Sequence, residues 1–325
     1  MSGGVRAAVF LESAVRVFTP TDAQFGRFRS KLAAVGAGEA VLCRDLESFL
    51  AALPTATHAL TWTFRQEWFA CAPKLRQIAT PAAGKDYFHV TPPPGVVLRY
   101  GSFHGAIIGE TAAGAVLALA HGLLQGASLM NCGSRGAELW PRPFFDSGRT
   151  RRLAGSTVLV LGFGAIGRAA GKALKTFGVR ILGLSRSRHP APDWFGPGDE
   201  VLVASDLDAA LSRADYVLCF LPSGPETDRL LDARHIGLMR PGSHLLNFGR
   251  GNLIDEAALA RALDSGAIAG AVLDVFSVEP LPADSPLRRA RNAFLYPHCS
   301  AFSPDYIDLF FDEWLAALTA ASPVI

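Results

Sequence analysis

The stretch VLVLGFGAIGR at residues 158–168 is the most informative part of the chain, because it joins an apolar strand to a glycine motif that begins a helix. In Gly162-x-Gly164-x-x-Gly167 the first glycine permits a tight turn, the second lets backbone approach a pyrophosphate, and the third allows the helix to pack on the strand. The pattern predicts a dinucleotide-binding unit; the alternative is an ordinary glycine-rich turn. The candidate cofactor residues here are Gly162, Phe163, Gly164, Ala165, Ile166 and Gly167.

The next predicted strand ends in ILGLSRSR at residues 181–188. In NAD-binding proteins this position carries an acid that accepts hydrogen bonds from the ribose 2′-hydroxyl. Ser185, Arg186, Ser187 and Arg188 stand there instead. Arginines bind a 2′-phosphate through charge-assisted hydrogen bonds, so the loop favours NADP(H), with NAD as a second candidate. The alternative is a solvated basic turn without a ligand.

Short apolar runs alternate with helical patterns along the chain, which predicts parallel α/β sheets. A length of 325 residues is too great for one compact core, so two domains, each a doubly wound parallel sheet, are expected. The predicted strands are 7–11, 40–43, 58–62, 76–80 and 96–100 in the first series, and 157–161, 179–184, 215–221, 243–248 and 269–274 in the second. Helices are expected at 45–53, 106–127 and about 304–320, with an irregular stretch at 131–152.

The composition argues against several classes of protein. Half of the residues are hydrophobic, the net charge is +2, and the lack of a Lys/Arg run argues against a nucleic-acid partner. The helix at 106–127 contains Glu110 and His121, so we interpret it as buried in the protein, not in a membrane. The five scattered cysteines form no CxxC pair, which argues against a metal site or a disulfide framework. Without the features of a signal peptide, a cytoplasmic protein is expected.

Three polar residues follow later apolar runs of the second series. Arg250 stands between glycines in NFGRGN, Glu279 ends LDVFSVE, and His298 follows a proline in YPHCSA. Ligands bind at the carboxyl ends of the strands in such sheets. A single Arg, Glu or His is usually structural, but three behind strands of one sheet predict an active site.

Five motifs stand in order along the chain: GFGAIG, FLPSGPETDRLLD, NFGRGNLIDE, LDVFSVEP and YPHCSA. In this order they resemble the D-isomer-specific 2-hydroxyacid dehydrogenases, and the resemblance spans nearly the whole chain. It implies a flavodoxin-like substrate domain of residues 1–101 with 301–325, into which a Rossmann cofactor domain of residues 102–300 is inserted. It also implies a cleft between the domains and a homodimer built largely on the cofactor domains.

The resemblance further implies roles for individual residues. Arg250, Glu279 and His298 match the catalytic residues of the family, and TPAAGKD (80–86) resembles the loop that holds the substrate carboxylate through backbone N–H groups. The substrate-binding residues expected on this basis are Ala83, Gly84, Arg250 and His298. The further cofactor-binding residues expected are Leu221, Pro222, Thr227, Phe248 and Asp274.

The expected reaction is the reduction of a 2-oxoacid to the D-2-hydroxyacid. The guanidinium fork of Arg250 can hold the carboxylate and polarise the ketone. Protonated His298 can donate to the ketone oxygen, and Glu279 can orient the imidazole and stabilise its cationic form. The resemblance favours small substrates such as glyoxylate or hydroxypyruvate.

Two segments depart from the family pattern. YGSFHGAIIGE (100–110) replaces a PGxxxxxVAE stretch, and Cys299-Ser300-Ala301 lacks a glycine that usually follows the catalytic His. Both are expected near the pocket and bear on which 2-oxoacid is bound. Formate dehydrogenases carry glutamine where Glu279 stands, which argues against that branch. The alternative function is a dinucleotide-sensing binding protein, or a corepressor-like relative with little turnover.

Overall fold

The computed structural model describes residues 4–84, 87–126 and 150–320, and the chain divides into two compact units. Unit 1 comprises residues 1–104 with 302–325, and unit 2 comprises residues 105–301. Each unit contains one wholly parallel sheet, with five strands in unit 1 and seven in unit 2 among the described residues. The α/β class with two parallel sheets is therefore confirmed.

Unit 1 has the strand order β2-β1-β3-β4-β5, which is the flavodoxin-like order. Its strands are β1 (Val5–Phe10), β2 (Gly38–Leu42), β3 (His58–Thr61), β4 (Gln77–Thr80) and β5 (Val97–Tyr100). Each lies within two residues of its predicted position, because short β-branched and aliphatic runs bounded by polar turns are a local signal.

The helices of unit 1 are α1 (Asp22–Ala34), α2 (Leu46–Ala52) and, at the end of the described chain, α8 (Tyr306–Ala320). The first two begin at side-chain caps that are visible in the sequence. Thr21 caps α1 by accepting from the Gln24 N–H at 3.2 Å, and Asp45 caps α2 by accepting from the Ser48 N–H at 2.7 Å. Such caps satisfy N–H groups that have no partner within the helix.

Unit 2 has the strand order β12-β11-β10-β9-β6-β7-β8. Its strands are β6 (Thr157–Leu161), β7 (Arg180–Ser185), β8 (Glu200–Val203), β9 (Tyr216–Cys219), β10 (His244–Asn247), β11 (Gly270–Leu273) and β12 (Ala293–Leu295). The strand order reverses at β6, which is the switch point where dinucleotides bind in Rossmann sheets. The sequence analysis missed β8 and β12, because both are very short edge strands that are only partly buried.

Helices cover both faces of the second sheet, and the strands are buried on both sides. Val158 and Val160 of β6 contribute to one core cluster, and Leu159 and Leu161 contribute to the other. This two-sided burial explains why the strand reads as a continuous apolar run. The remaining helices are α3 (His104–Ala120), α4 (Ala165–Lys175), α5 (Leu207–Leu211), α6 (Ala233–Leu238) and α7 (Glu256–Ser265).

The predicted helix at 106–127 corresponds to α3, which begins at His104 and ends at Ala120, and to residues 123–126, which are helical again after a turn. Gly122 adopts φ +66°, a left-handed conformation that ends the helix without the cost of a Cβ clash. Residue 127 and the predicted irregular stretch up to residue 149 lie outside the described residues. Among the described helices, none has the length and apolar character needed to cross a lipid bilayer.

Candidate active site

The glycine turn after β6 is built around close backbone approaches. Gly162 has φ +94°, and a Cβ there would lie 2.9 Å from the carbonyl carbon of Phe220. A Cβ on Gly167 would lie 2.3 Å from the Gly162 carbonyl oxygen. The N–H groups of Gly162 and Phe163 both donate to the Leu184 carbonyl at 3.0 Å, which ties the turn to β7. Any larger residue at Gly162 or Gly167 would force the turn open.

Gly164 differs from its two partner glycines because a Cβ there would meet nothing within 4 Å. It precedes α4, whose first intrahelical bond runs from the Arg168 N–H to the Gly164 carbonyl at 2.9 Å. The N–H groups of Ala165, Ile166 and Gly167 therefore precede the helical ladder and are oriented as donors. Open space at Gly164 beside a helix N-terminus fits a pyrophosphate.

Phe163 has a structural position, although it lies within the motif. Its ring is buried, and the ring leaves no room for a side chain on Gly183, where a Cβ would lie 2.5 Å from it. The Arg168 guanidinium lies over the same ring at 5.1 Å. Phe163 thus anchors α4 and the turn to β7, and its N–H is already used by Leu184.

The loop after β7 carries the predicted phosphate-binding residues. Ser185 is buried and donates its hydroxyl to the Ser187 carbonyl at 2.7 Å, which folds the loop back on itself. Arg186, Ser187 and Arg188 are exposed. Neither arginine forms a hydrogen bond or an ion pair with another residue in the described ranges, so both guanidinium groups are available to an anion.

The loop after β9 lies across the switch point from the glycine turn. Leu221 is half-buried and Pro222 is exposed, and Thr227 closes the loop by donating its hydroxyl to the Pro222 carbonyl at 2.7 Å. Phe248, at the end of β10, is buried and stacks on Phe220 at 6.0 Å between ring centroids. These residues form the second wall of the crevice at the β6–β9 boundary.

Arg250 leaves the end of β10 between two glycines that tolerate no side chain. A Cβ on Gly249 would lie 2.6 Å from the Leu221 carbonyl oxygen, and a Cβ on Gly251 would lie 1.8 Å from the Phe276 carbonyl carbon. The glycines are therefore required by the close approach of the neighbouring loops. They hold the Arg250 backbone at a fixed place on the carboxyl edge of the sheet.

Asn247 positions the Arg250 turn, and the sequence analysis did not identify it. Its side-chain carbonyl accepts from the Gly249 N–H at 3.0 Å, and its amide donates to the Arg250 carbonyl at 3.0 Å. Asn247 is buried, so both bonds are shielded from water. The available signal was an amide side chain at the end of an otherwise apolar strand.

Glu279 and His298 form a hydrogen-bonded pair behind the next two strands. Glu279 follows β11 and His298 follows β12, and the Glu279 Oε2 lies 2.8 Å from the His298 Nδ1. The other Glu279 oxygen accepts from the Phe276 N–H at 2.9 Å, which fixes the carboxylate. The His298 side chain remains 55% exposed. With Nδ1 held by Glu279, Nε2 is the nitrogen left for a substrate.

Asp274 holds the segment that carries His298. Asp274 is 1% exposed, and its carboxylate accepts from the Cys299 N–H at 2.7 Å and from the Ser300 N–H at 3.1 Å. His298 itself has φ +53°, a left-handed conformation that a non-glycine residue adopts only where the surroundings impose it. The cofactor contact that the resemblance implies for Asp274 stays a prediction, and in the structure its carboxylate anchors the His298 loop.

The segment after His298 is also held from the opposite side. Thr111 of α3 donates its hydroxyl to the Ser300 carbonyl at 2.9 Å. Burial, together with the neighbouring Asp274 carboxylate, raises the pKa of the Cys299 thiol, so it stays protonated beside His298. The unusual Cys-Ser-Ala sequence is therefore accommodated as a rigid support.

The pair borders an open cavity of about 510 Å³ within unit 2. Its walls are mainly apolar and include Phe276, Leu281 and Leu295. The Arg288 guanidinium, also in the wall, donates to the carbonyls of Pro282 and Leu281 at 2.8 and 2.6 Å. An apolar wall excludes water from one side of the acid–base pair.

The predicted carboxylate loop belongs to unit 1 and follows β4. The Ala82 N–H donates to the Thr80 hydroxyl at 3.3 Å, and the Gly101 N–H donates to the Ala82 carbonyl at 2.9 Å, so the start of the loop is fixed. Ala83 is exposed and Gly84 is half-buried. The last two residues of the quoted loop, Lys85 and Asp86, lie outside the described residues.

The sequence was compared with models of protein families. The model described as D-isomer specific 2-hydroxyacid dehydrogenase, NAD binding domain, matches residues 114–300. This range contains the glycine turn, Arg250, Glu279 and His298. It covers more than half of the chain.

Individual relatives agree with that match. A glyoxylate reductase of Thermofilum pendens is 31% identical over 255 residues, which cover 74% of this chain and 70% of that protein. A D-3-phosphoglycerate dehydrogenase of Mycobacterium leprae is 32% identical over 272 residues, which cover 81% of this chain but 49% of that protein. The solved D-isomer specific 2-hydroxyacid dehydrogenase from Xanthobacter autotrophicus in complex with NADPH and MES is 26% identical, with a TM-score of 0.72 over 100% of this chain and 97% of that chain.

Proposed function

The chain belongs to the D-isomer-specific 2-hydroxyacid dehydrogenases, a family of NAD(P)-dependent oxidoreductases, and we propose that it reduces small 2-oxoacids of the glyoxylate or hydroxypyruvate type to D-2-hydroxyacids with NADPH. One observation carries this proposal: the 2.8 Å contact between the Glu279 carboxylate and the His298 imidazole, one strand away from Arg250. The order β10, β11, β12 brings the three groups to adjacent strand ends, as acid–base chemistry on a carboxylate substrate requires.

Arg250 binds the substrate in this proposal. Its planar guanidinium donates two parallel hydrogen bonds, which match a carboxylate or the carboxylate and ketone oxygens of a 2-oxoacid. The Arg250 Nη1 donates to the Gly249 carbonyl at 3.0 Å, which orients the plane of the fork. The Ala83–Gly84 backbone is the second candidate for holding the carboxylate.

In this proposal His298 transfers the proton and Glu279 supports it. When bound, the reduced nicotinamide supplies a hydride to the ketone carbon. As charge grows on the ketone oxygen, His298 donates its Nε2 proton to it, and Glu279 at Nδ1 stabilises the imidazolium before the transfer. In the oxidative direction, neutral His298 accepts the hydroxyl proton. Because Glu279 is itself held by the Phe276 N–H, the imidazole has one orientation throughout.

Arg186 and Arg188 support the preference for NADPH. They are exposed at the end of β7, where an acidic residue would repel a 2′-phosphate. The NADPH complex of the Xanthobacter relative supports the same cofactor for a similar chain.

The arrangement of the whole protein is part of the proposal. We assign the dinucleotide to unit 2 and the substrate carboxylate loop to unit 1, in the domain division expected from the sequence. The family resemblance implies a homodimer, which chromatography with light scattering tests directly. The scattered cysteines favour a cytoplasmic location.

Steady-state reduction of a panel of 2-oxoacids, followed at 340 nm with NADPH and with NADH, tests the function. We expect turnover with glyoxylate or hydroxypyruvate in the wild type. Arg250→Lys keeps the charge but loses the fork, so kcat/KM should fall by about 100-fold or more while the NADPH Kd stays within twofold. Tight NADPH binding without turnover of any 2-oxoacid would instead favour the dinucleotide-sensing alternative. If the Arg250→Lys enzyme had nearly the wild-type kcat/KM, Arg250 would not be the residue that binds the carboxylate through two parallel hydrogen bonds.

A further inference from the structure

An aromatic cluster lies at the carboxyl edge of the unit 1 sheet, at its switch point. The order β2-β1-β3 sends the chain to opposite sides after β1 and after β3, and ligands bind in the crevice that such a reversal leaves. Phe18 lies in the loop after β1, and Trp62 directly follows β3. Two bulky aromatic residues therefore stand where this architecture receives a ligand.

Trp62 is held in one orientation by its neighbours. Its indole N–H donates to the Phe18 carbonyl at 3.0 Å, and its ring stacks on Tyr306 with an interplanar angle of 24°. The Tyr306 hydroxyl is in turn 3.0 Å from the His104 Nε2. Because the N–H and one face of the indole are already occupied, the ring is preorganised, and ordering it costs a ligand little.

Two further rings of the cluster are exposed. Tyr87 is 41% exposed and meets Trp62 edge to face at 6.3 Å between centroids. Phe302 is 42% exposed and meets Phe18 edge to face at 4.9 Å. Exposed large apolar side chains that gather at a ligand-binding edge are typical of a recognition surface.

The cluster offers no charge to a ligand. Phe18, Trp62 and Phe302 are apolar, and burial raises the pKa of both Tyr87 and Tyr306, so these phenols stay neutral. A phosphate or a second carboxylate would lose water there without gaining a partner. A planar ring would gain edge-to-face or offset contacts, which are worth roughly 2- to 12-fold in affinity.

The cluster and the proposed carboxylate loop follow neighbouring strands of the unit 1 sheet. Trp62 directly follows β3, and the Ala83–Gly84 loop follows β4, the neighbouring strand in the sheet. Neighbouring strands are about 4.8 Å apart. A 3-aryl-2-oxoacid separates its carboxylate from its ring by a similar span, whereas glyoxylate reaches only the loop.

We infer that Trp62, Tyr87 and Phe302 bind the side chain of the substrate, and that the enzyme prefers 2-oxoacids with an aromatic side chain over those with a phosphorylated one. This inference rests on the proposed reductase activity, and it names an aromatic 2-oxoacid instead of glyoxylate or hydroxypyruvate as the preferred substrate. Trp62 is the specificity-determining residue, and it acts on substrate choice without taking part in proton transfer.

The test compares kcat/KM for phenylpyruvate, cyclohexylpyruvate, glyoxylate and phosphohydroxypyruvate. In the wild type we expect kcat/KM for phenylpyruvate to be about tenfold higher than for glyoxylate and about threefold higher than for cyclohexylpyruvate. The value for phosphohydroxypyruvate should be the lowest of the four. Trp62→Leu should lower kcat/KM for phenylpyruvate about tenfold and leave kcat/KM for glyoxylate within twofold of the wild type. Trp62→Phe keeps a ring without the N–H, and should retain most of the preference. Phe177→Leu, at an exposed aromatic residue beyond α4, is the matched control and should change neither.

A second measurement separates this inference from the proposed function. 3-Phenylpropanoate has the carboxylate and the ring but no ketone, and its binding to the NADPH complex can be followed by calorimetry. If glyoxylate is reduced but phenylpyruvate is no better, or if Trp62→Leu lowers both equally, the inference is overturned and the reductase stands. If no 2-oxoacid is reduced, the proposed function fails. In that case, binding of 3-phenylpropanoate that is lost in Trp62→Leu would still support an aromatic binding surface. If 3-phenylpropanoate does not bind, or binds equally well to Trp62→Leu, the aromatic surface is rejected as well.

Discussion

The two parallel sheets of this protein present opposite chemistry at their carboxyl edges. In unit 2, Arg250, Glu279 and His298 follow three adjacent strands, and glycines at the β6 turn leave room for a phosphate. In unit 1, the corresponding edge carries Trp62, Tyr87 and other rings. Both sheets place loops at the same edge because parallel strands all end there.

The difference shows how one architecture supports two tasks. The central strands of both units are apolar and buried, so they carry little information about function. The residues just beyond the strands determine the function. Charged groups there bind a substrate and transfer protons, whereas aromatic rings there select the side chain of the substrate. Changes at the unit 2 edge should therefore affect the chemical step, and changes at the unit 1 edge should affect substrate choice.

The largest expected effect is at His298. His298→Ala removes the proton donor, and kcat for 2-oxoacid reduction should fall by roughly 10²- to 10⁴-fold for every substrate. The NADPH Kd should stay within twofold, as measured by fluorescence titration. His121→Ala, at an exposed histidine of the same unit, is the matched control and should change neither quantity. A kcat within tenfold of wild type would contradict the division of labour between the two edges.

The next effect concerns the arginines beyond β7. Each charge-assisted bond to the 2′-phosphate should contribute about 1.5–3 kcal/mol, so Arg186→Ala and Arg188→Ala should each weaken NADPH binding by roughly 10- to 100-fold. NADH binding should stay within twofold. Lys172→Ala, which removes an exposed cation of α4, serves as the control. Equal losses for the two cofactors, or a wild type that prefers NADH, would show that these arginines do not read the phosphate.

A smaller effect, on the pH dependence of stability, is expected at the amino ends of the strands, opposite the edges that carry the proposed sites. His58 begins β3 and His244 begins β10, and burial is the main reason that the pKa of each is lowered to about 4. An unfolded histidine has a pKa near ~6.5, so the unfolded chain binds more protons between these values. The contribution of these neutral histidines to the free energy of unfolding should be complete above pH ~6.5 and should be lost as the pH drops towards ~4. Between pH 7.5 and pH 5.5 each histidine should lower the free energy of unfolding by about 1 kcal/mol.

His244→Phe tests that pH dependence. The His244 ring stacks on Tyr216 at 5.4 Å with an interplanar angle of 13°, so phenylalanine can keep the contact without the titrating nitrogen. Urea unfolding at pH 7.5 and pH 5.5 should show a smaller loss of stability in the variant. His58 should continue to contribute in that variant. An unchanged pH dependence would mean that His244 is not held neutral by burial.

The smallest effect is expected where α8 contacts α1. Lys31 and Asp312 form an ion pair at 2.5 Å, but both side chains are half exposed. Water and salt screen such a pair, so Lys31→Met should change the free energy of unfolding by less than about 1 kcal/mol. Urea titrations at low and at high salt should agree within that limit. A loss of several kcal/mol would show that α8 depends on this pair and not on its buried aromatic residues.

Local sequence patterns were sufficient for many elements and insufficient for others. The strands of unit 1 and the glycine turn were predictable, because alternation of apolar runs, glycines and caps is a property of neighbouring residues. The break between α3 and the helical residues 123–126 was not predicted, since the left-handed Gly122 lies within a run of small apolar residues. β8 and β12 were missed because edge strands of three or four residues carry almost no pattern of their own.

The amino-acid pattern was enough to predict the two-sheet class, the dinucleotide turn and the candidate residues Arg250, Glu279 and His298, because alternating apolar runs and short motifs are local features. How these residues are held depends on contacts between distant parts of the chain. Asp274 anchors the His298 loop across 25 residues of sequence, and Trp62 meets Tyr306 although 244 residues separate them. Such contacts depend on strand order, and strand order is fixed by the packing of the whole sheet, which no local pattern records.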